Sequence, residues 1–217
     1  MAHIIGVISQ KGGVGKSTVA RLIAREYAAA DWNVKIADLD IQQGTSFSWQ
    51  GRRLQNGIEP VVSVERFATV EHALRIAEHH DLLILDGPPH ATTGTKRIAE
   101  ASDLLVLPTG LALDDLEPSV LLAHELTKGR VRPEKIVFAF CRVGDSAAEL
   151  SEAIQYVEQA GYCCLAGFLP EKVGYRRTSD EGRAATETRF ATLNAKADEL
   201  AQGIIDKLQE LTKRRAA

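Results

Sequence analysis

Gly6-Val7-Ile8-Ser9-Gln10-Lys11-Gly12-Gly13-Val14-Gly15-Lys16-Ser17-Thr18 decides how the rest of the chain is read. An apolar run over 4–8 enters a glycine-rich turn, which opens into Lys-Ser-Thr and an amphipathic pattern. Strand, loop and helix in that order make a phosphate cradle. Glycines free backbone N–H groups to face an anion, Lys16 reaches the outer phosphates, and Ser17 is placed to ligate Mg²⁺. The common pattern has glycine where this chain has Gln10 and makes no demand for Lys11. The loop therefore carries two cations where one bound nucleotide ordinarily engages one.

Working outward, short apolar runs at 34–37, 61–64, 82–85, 104–107, 136–140 and 163–168 read as buried strands. Between them lie amphipathic stretches, one with Val19, Leu22, Ile23 and Tyr27 on a face, another with Leu150, Ile154 and Val157. The alternation predicts an α/β fold, a mostly parallel twisted sheet with helices on both faces. Ligands of such sheets lie beyond the carboxyl ends of the strands. Two of those ends are acidic, Asp38-Leu39-Asp40 and Asp86. Taken alone, Asp86 is equally a turn or cap residue, and Asp38 with Asp40 an acidic turn before Gln42-Gln43-Gly44. Beside a phosphate loop, Asp86 has the character of a Walker B acid. One of the other two can serve the metal and the other a nucleophilic water.

Composition narrows the class. The chain has 217 residues, 45% hydrophobic and 25% charged, with a net charge of −3. That suits one globular domain over 1–217 and excludes a polycation, so nucleic-acid binding has to come from a local patch or an oligomer. Three cysteines without paired spacing point to a reducing cytoplasm, and no stretch is long and apolar enough to span a bilayer. Cys163 and Cys164 read as neighbours on a buried strand, and His79-His80 as a helix cap.

Lys11-Gly12-Gly13-Val14-Gly15-Lys16-Ser17-Thr18 resembles the deviant Walker A motif of the ParA/MinD family of P-loop ATPases. Asp38-Leu39-Asp40 with Gln42 resembles that family's second motif, and Asp86-Gly87-Pro88-Pro89 its Walker B and switch segment. The likeness continues through Val106-Leu107-Pro108-Thr109 to Gly167-Phe168-Leu169-Pro170. It implies a P-loop NTPase fold, ATP and Mg²⁺ as cofactors, and hydrolysis to ADP and phosphate, slow without a partner. The nucleotide would be held by Gly12, Gly13, Val14, Gly15, Lys16, Ser17 and Thr18, with Arg142 and Pro170 at the base. Ser17, Asp38 and Asp86 would form the magnesium shell, and Asp40 would orient the attacking water. Lys11 would reach the ATP of a second subunit in a sandwich homodimer. The chain departs from the family at Ile41 (commonly proline), Gly87 (commonly threonine) and Cys141-Arg142 (often asparagine).

Within that family the chain is similar to short ParA-type partition or cargo-positioning ATPases. These bind nucleoid DNA nonspecifically in the ATP state and answer to a ParB-like or cargo-adaptor activator; cargoes include plasmids, chemoreceptor clusters and carboxysomes. The DNA-binding candidates are Lys172, Arg176, Arg177 and Arg189, with Arg183 nearby, diluted by Glu171, Asp180, Glu181 and Glu187. The other reading of that loop is a solvated lid over the adenine. Lys128, Arg130, Arg132 and Lys135 read as complements to a helix C-terminus. A MinD-like membrane-surface factor is the alternative function, and a ligase-type synthetase another. The last apolar stripe (Leu193, Ala197, Leu200, Ile204, Leu208, Leu211) faces acids as well as lysines, so a core-packing helix is expected there and not a membrane anchor.

Overall fold

The structure, a computed structural model, describes residues 2–89 and 93–216, without the side chains of 215 and 216. Its strands are β1 (His3–Ser9), β2 (Val34–Asp38), β3 (Ser63–Arg66), β4 (Leu82–Pro89), β5 (Leu104–Thr109), β6 (Ile136–Val143), β7 (Cys163–Cys164) and β8 (Leu169–Pro170). The helices are α1 (Lys16–Ala29), α2 (Thr45–Gln55), α3 (Val70–Leu74), α4 (Thr93–Ala101), α5 (Leu113–Lys128), α6 (Ala147–Gln159), α7 (Val173–Asp180) and α8 (Ala191–Ala216). The sheet order is β3-β2-β4-β1-β5-β6-β7, with β8 pairing β6, and every pairing is parallel.

Alternation along the central strands divides the core in two. Leu82 and Ile84 of β4, with Leu104 and Val106 of β5, join Val19, Leu22 and Ile23 of α1 and Leu200 and Ile204 of α8 on one face. Leu83 and Leu85, with Leu105 and Leu107, meet Ile98 of α4 and Leu116, Val120 and Ala123 of α5 on the other. Both faces of each strand are dry, which is why these strands are uninterrupted apolar runs. Gly6 lets α4 approach β1, since a Cβ there would sit 2.6 Å from Ser102 Oγ. β1 is the central strand from which connections leave in both directions, so its carboxyl end opens at the switch point of the sheet.

Several expectations are corrected. The strand expected at 61–64 lies at Ser63–Arg66, and Val61 is exposed. The run at 163–168 breaks into β7 and β8. Between them Gly167 takes φ +77°, with its α-carbon pressed so close to α8 that a Cβ would lie 2.5 Å from the Leu200 nitrogen. Cys163 is exposed and Cys164 only half-buried, because β7 is the sheet's edge. His79 ends a 3-10 helix (Ala77–His79) and His80 is its C-cap, as expected; the His80 Nδ1 also meets Asn33 Oδ1 at 2.9 Å. Lys135 complements a helix end, but that of α4: its Nζ donates to the Ser102 carbonyl at 2.7 Å. The stripe of α8 packs into the core, with Ala197, Leu200, Ile204, Leu208 and Leu211 buried and Leu193 partly so. Of the basic tail, Arg214 pairs with Glu210 at 2.6 Å, and the Arg215 side chain lies outside the described residues. Among the described residues no helix is long and apolar enough to cross a membrane.

Candidate nucleotide site

Beyond Ser9 the chain turns through the glycines and enters α1 at Lys16. Gly13 (φ +78°) and Gly15 (φ +106°) take left-handed conformations that favour glycine. A Cβ on Gly15 would also press on Cys141 at 3.2 Å. The first turn of α1 holds no acid and no side-chain cap, so its N–H groups stay available to an anion. Lys16 is buried, and its Nζ donates to the Lys11 carbonyl at 3.0 Å, folding the ammonium inside its own loop. Burial pulls that ammonium below its ordinary pKa, opposed by the charges of Asp86 and Asp40. Lys11 is held by a different element. Its side chain is 39% exposed, and its Nζ pairs with Asp115 Oδ1 of α5 at 2.9 Å. A cleft of about 210 Å³ lies against the loop, bordered by Gly12, Gly13, Gly15, Lys16, Ser17 and Thr18 and by Asp40 and Gln43 opposite. Val14 is buried beneath it.

Asp86 ends its apolar run 2% exposed. Ser46 Oγ donates to its Oδ2 at 2.7 Å, while Oδ1 has no donor among the described residues. Burial pushes the carboxyl up to about 6, with the Asp38 charge adding to the rise and the hydroxyls of Ser46 and Ser17 and the Arg21 charge opposing it. A buried carboxylate oxygen without a donor, close to Ser17, fits the outer shell of a hydrated Mg²⁺, a cation that keeps several waters and few protein ligands. Among the described residues no three His, Cys, Asp or Glu side chains converge to hold a metal.

Asp38 has another task. Its Oδ2 accepts from the Ser46 and Phe47 N–H groups, both at 3.0 Å, and its Oδ1 from the Asp40 N–H at 3.2 Å. It therefore caps α2, whose own N-terminal neighbour, Gly44, has no side chain to do so. Asp40 faces the cleft and accepts from the Gln43 N–H at 3.0 Å.

A second cleft, about 520 Å³, continues from Gly13, Gly15 and Thr18 and is walled by Cys141, Arg142, Pro170, Tyr175 and Ser179. The Arg142 backbone is left-handed, at φ +57°. Its guanidinium donates to Glu171 at 2.9 Å and to the Gly13 carbonyl at 3.4 Å, which ties the far wall to the phosphate loop. The basic candidates beyond Pro170 are mostly paired with acids: Lys172 with Asp145, Arg176 with Glu171, and Arg189 and Arg183 with Glu181.

Three site residues escaped the motif reading. Asp115 is more than a hundred residues from Lys11 in sequence, and nothing local marks it. Arg21 lies inside the expected first helix and Ser46 in a stretch where no element is expected, and both look like ordinary helix residues. A charged residue among the apolar positions of α1, one turn past the loop, was the available signal for Arg21.

Comparison with known proteins follows this geometry. Residues 5–186 match the family described as the CobQ/CobB/MinD/ParA nucleotide binding domain. The chain is 27% identical over 189 residues to the maintenance of carboxysome distribution protein A of Gloeobacter kilaueensis, covering 86% of this chain and 85% of that one. It is 35% identical over 133 residues to the chromosome-partitioning ATPase Soj of Thermus thermophilus, covering 48% and 53% respectively. Its fold is similar to that of the septum site-determining protein MinD of Pyrococcus horikoshii in complex with Mg-ADP. That match has a TM-score of 0.76 at 19% identity and covers 96% of this chain and 98% of that one. With the family matched over most of its length, the chain belongs to the CobQ/CobB/MinD/ParA nucleotide-binding family.

Proposed function

We propose that the chain is a ParA-type cargo-positioning ATPase whose ATP state is a sandwich homodimer that binds DNA nonspecifically. One observation carries this reading: the two loop lysines are engaged separately. Lys16 is folded into its own phosphate cradle, while Lys11 is left out of it, partly exposed and paired with Asp115 on α5. A metabolic P-loop enzyme needs only the first. A second, partly exposed loop cation has a use where a second nucleotide is presented from outside.

In this reading Lys16 and the N–H groups of α1 bind the β and γ phosphates, and Thr18 the α-phosphate. Ser17 and Asp86 hold the hydrated Mg²⁺, which neutralises charge on the phosphates when bound. Asp38 would be a support of α2, and a metal contact only through water. Asp40, at the cleft edge beside Gln43, orients the water that attacks the γ-phosphorus. The Lys11 of one subunit meets charge developing on the partner's transferring phosphoryl group, so dimerisation and hydrolysis both depend on the γ-phosphate. Arg142 and Pro170 border the base. The related structure with Mg-ADP supports the cofactor assignment. Both curated relatives are positioning or partitioning proteins by name, which supports cargo handling. Burial of the α8 stripe weighs against the membrane-surface alternative, because that apolar face is already used.

Arg177, exposed and without an ion pair among the described residues, is the basic candidate of α7 freest to meet phosphate. Binding through such residues is salt-sensitive. The test compares DNA cosedimentation and light scattering with ATP and with ADP. Dimer and DNA binding are expected with ATP alone, and Lys11→Ala should stay monomeric in ATP while still binding nucleotide. Equal DNA affinity in both nucleotides, or a normal Lys11→Ala dimer, removes the reading.

A further inference from the structure

Arg21 is 5% exposed, on the face of α1 that looks toward the metal side of the cleft. Its Nε donates to Ser46 Oγ at 3.3 Å and its Nη1 to Ser179 Oγ at 3.1 Å. Its Cζ lies 5.6 Å from the Trp49 ring centroid, and its Nη2 is buried with no acceptor among the described residues. Ser46 is fully buried and has a single hydroxyl proton. Because a guanidinium has no lone pair to offer and an ionised carboxylate has no proton, the polarity of this chain is forced: Arg21 donates to Ser46, and Ser46 donates to Asp86 Oδ2 at 2.7 Å. The rotor of Ser46, and with it the carboxylate plane of Asp86, is therefore set from α1. Asp86 Oδ1 is then left without a donor among the described residues, free to serve a hydrated cation.

The second arm goes elsewhere. Ser179 belongs to α7 and walls the larger cleft, and its carbonyl also accepts from Arg52 of α2 at 3.5 Å. One side chain thus spans the two ends of the nucleotide cleft.

We propose that Arg21 is a positioning residue for nucleotide binding: through Ser46 it orients Asp86 toward the magnesium, and through Ser179 it holds α7 against the nucleoside end. The proposal rests on the ATPase reading of the site. Removing the charge outright would mix two opposed effects, since a cation beside Asp86 both repels Mg²⁺ and holds its ligand. Arg21→Lys avoids that, because the charge stays while the planar fork that reaches two hydroxyls is lost.

The experiment titrates Mg²⁺ into each variant with fluorescent mant-ADP and repeats nucleotide binding in EDTA, with circular dichroism as a check on folding. Arg21→Lys and Ser46→Ala are each expected to raise the Mg²⁺ midpoint about tenfold, the scale on which outer-shell partners act. The double variant is expected to go no further than either single one, because both act through the same hydroxyl. Ser179→Ala is expected to weaken mant-ADP binding in EDTA about tenfold, the lower end for a hydrogen bond to a charged group. A midpoint for Arg21→Lys within about twofold of the parent, or additive effects in the double variant, overturns the orientation of Asp86 through Ser46. Parent-like binding by Ser179→Ala in EDTA overturns the α7 arm. Should Arg21→Lys fail to fold, the near-isosteric Ser46→Ala decides the first arm alone: a raised midpoint upholds it and a parent-like one overturns it. A parent protein that binds mant-ADP with no Mg²⁺ dependence at all removes the ATPase reading itself, a different failure from the loss of either arm.

Discussion

Lys11 and Lys16 are five residues apart and carry the same charge, yet their surroundings separate them. Lys16 is taken by its own loop, so it is committed to whatever that loop binds. Lys11 is held by Asp115, in a pair whose side chains are 39% and 29% exposed. Pairs so exposed are worth roughly 0–1 kcal/mol. The ion pair is therefore a weak tether that holds Lys11 against α5. Asp115→Asn should leave the urea midpoint of the nucleotide-free protein almost unmoved. If the proposed homodimer forms, it should tighten ATP-dependent association by up to about fivefold, the equivalent of about 1 kcal/mol. Light scattering over a concentration series measures this, and a weaker dimer would show that Asp115 belongs to the interface and not to the tether. The surplus lysine was plain in the sequence because it breaks a short motif. Its holder was not, because only the return of α5 to the end of β1 brings the two together.

At the scale of elements, α2 shows how a motif residue can serve the fold. The helix begins after Gly44, which is left-handed at φ +53° and offers no side-chain cap. Asp38 supplies the acceptors from the end of β2, satisfying two first-turn N–H groups that would otherwise be orphaned near the core. Asp38→Ala should therefore cost about 2 kcal/mol, the upper end for a lost cap. Asp38→Asn, which keeps one acceptor oxygen, should cost less than half of that. Urea unfolding without nucleotide measures both, and equal losses would show that charge and not capping is what α2 needs. The strands show where pattern reading succeeds and where it fails. The central strands β1, β4, β5 and β6 are apolar on both faces and could be read directly. The two displaced expectations concern β3 and β7, the two edges of the sheet. An edge strand needs only part of its surface buried, as with exposed Glu65 and Arg66 in β3, so its ends carry little hydrophobic signal.

Across the whole molecule, the α/β class, the parallel sheet and the position of the phosphate loop could all be read from local patterns. The ties between distant parts could not, because they join single polar residues far apart in sequence. The largest of these ties is a buried cluster on the α2 side. Arg53 is fully buried, stacks 5.3 Å from the Trp49 centroid, and forks onto Glu187 with contacts of 2.7 and 2.9 Å. Glu187 also accepts from Arg25 of α1 at 3.4 Å and from the Ala184 N–H at 2.7 Å. The cluster thus fastens α1 and α2 to the 3-10 turn (Ala185–Glu187) that precedes α8. Burial by itself would raise the Glu187 pKa, but the hydrogen bonds from Arg53 and Ala184 and the charges of Arg53 and Arg25 outweigh it, and the net shift is downward from 4.5. A carboxyl with a lowered native pKa stabilises the fold above its unfolded value, and that contribution disappears as pH falls through the native one. Glu187→Gln should then lose on the order of 3 kcal/mol near neutral pH, because a buried guanidinium is left without its counter-charge. The gap between variant and parent should hold down to the ordinary glutamate range. It should then close as the parent's own Glu187 protonates and its Arg53 is stranded in the same way. Urea unfolding of both proteins from neutral pH to about pH 3 follows the convergence. Curves that stay parallel through that range would mean that the cluster holds these elements by packing and neutral hydrogen bonds, with the charge of Glu187 playing no part.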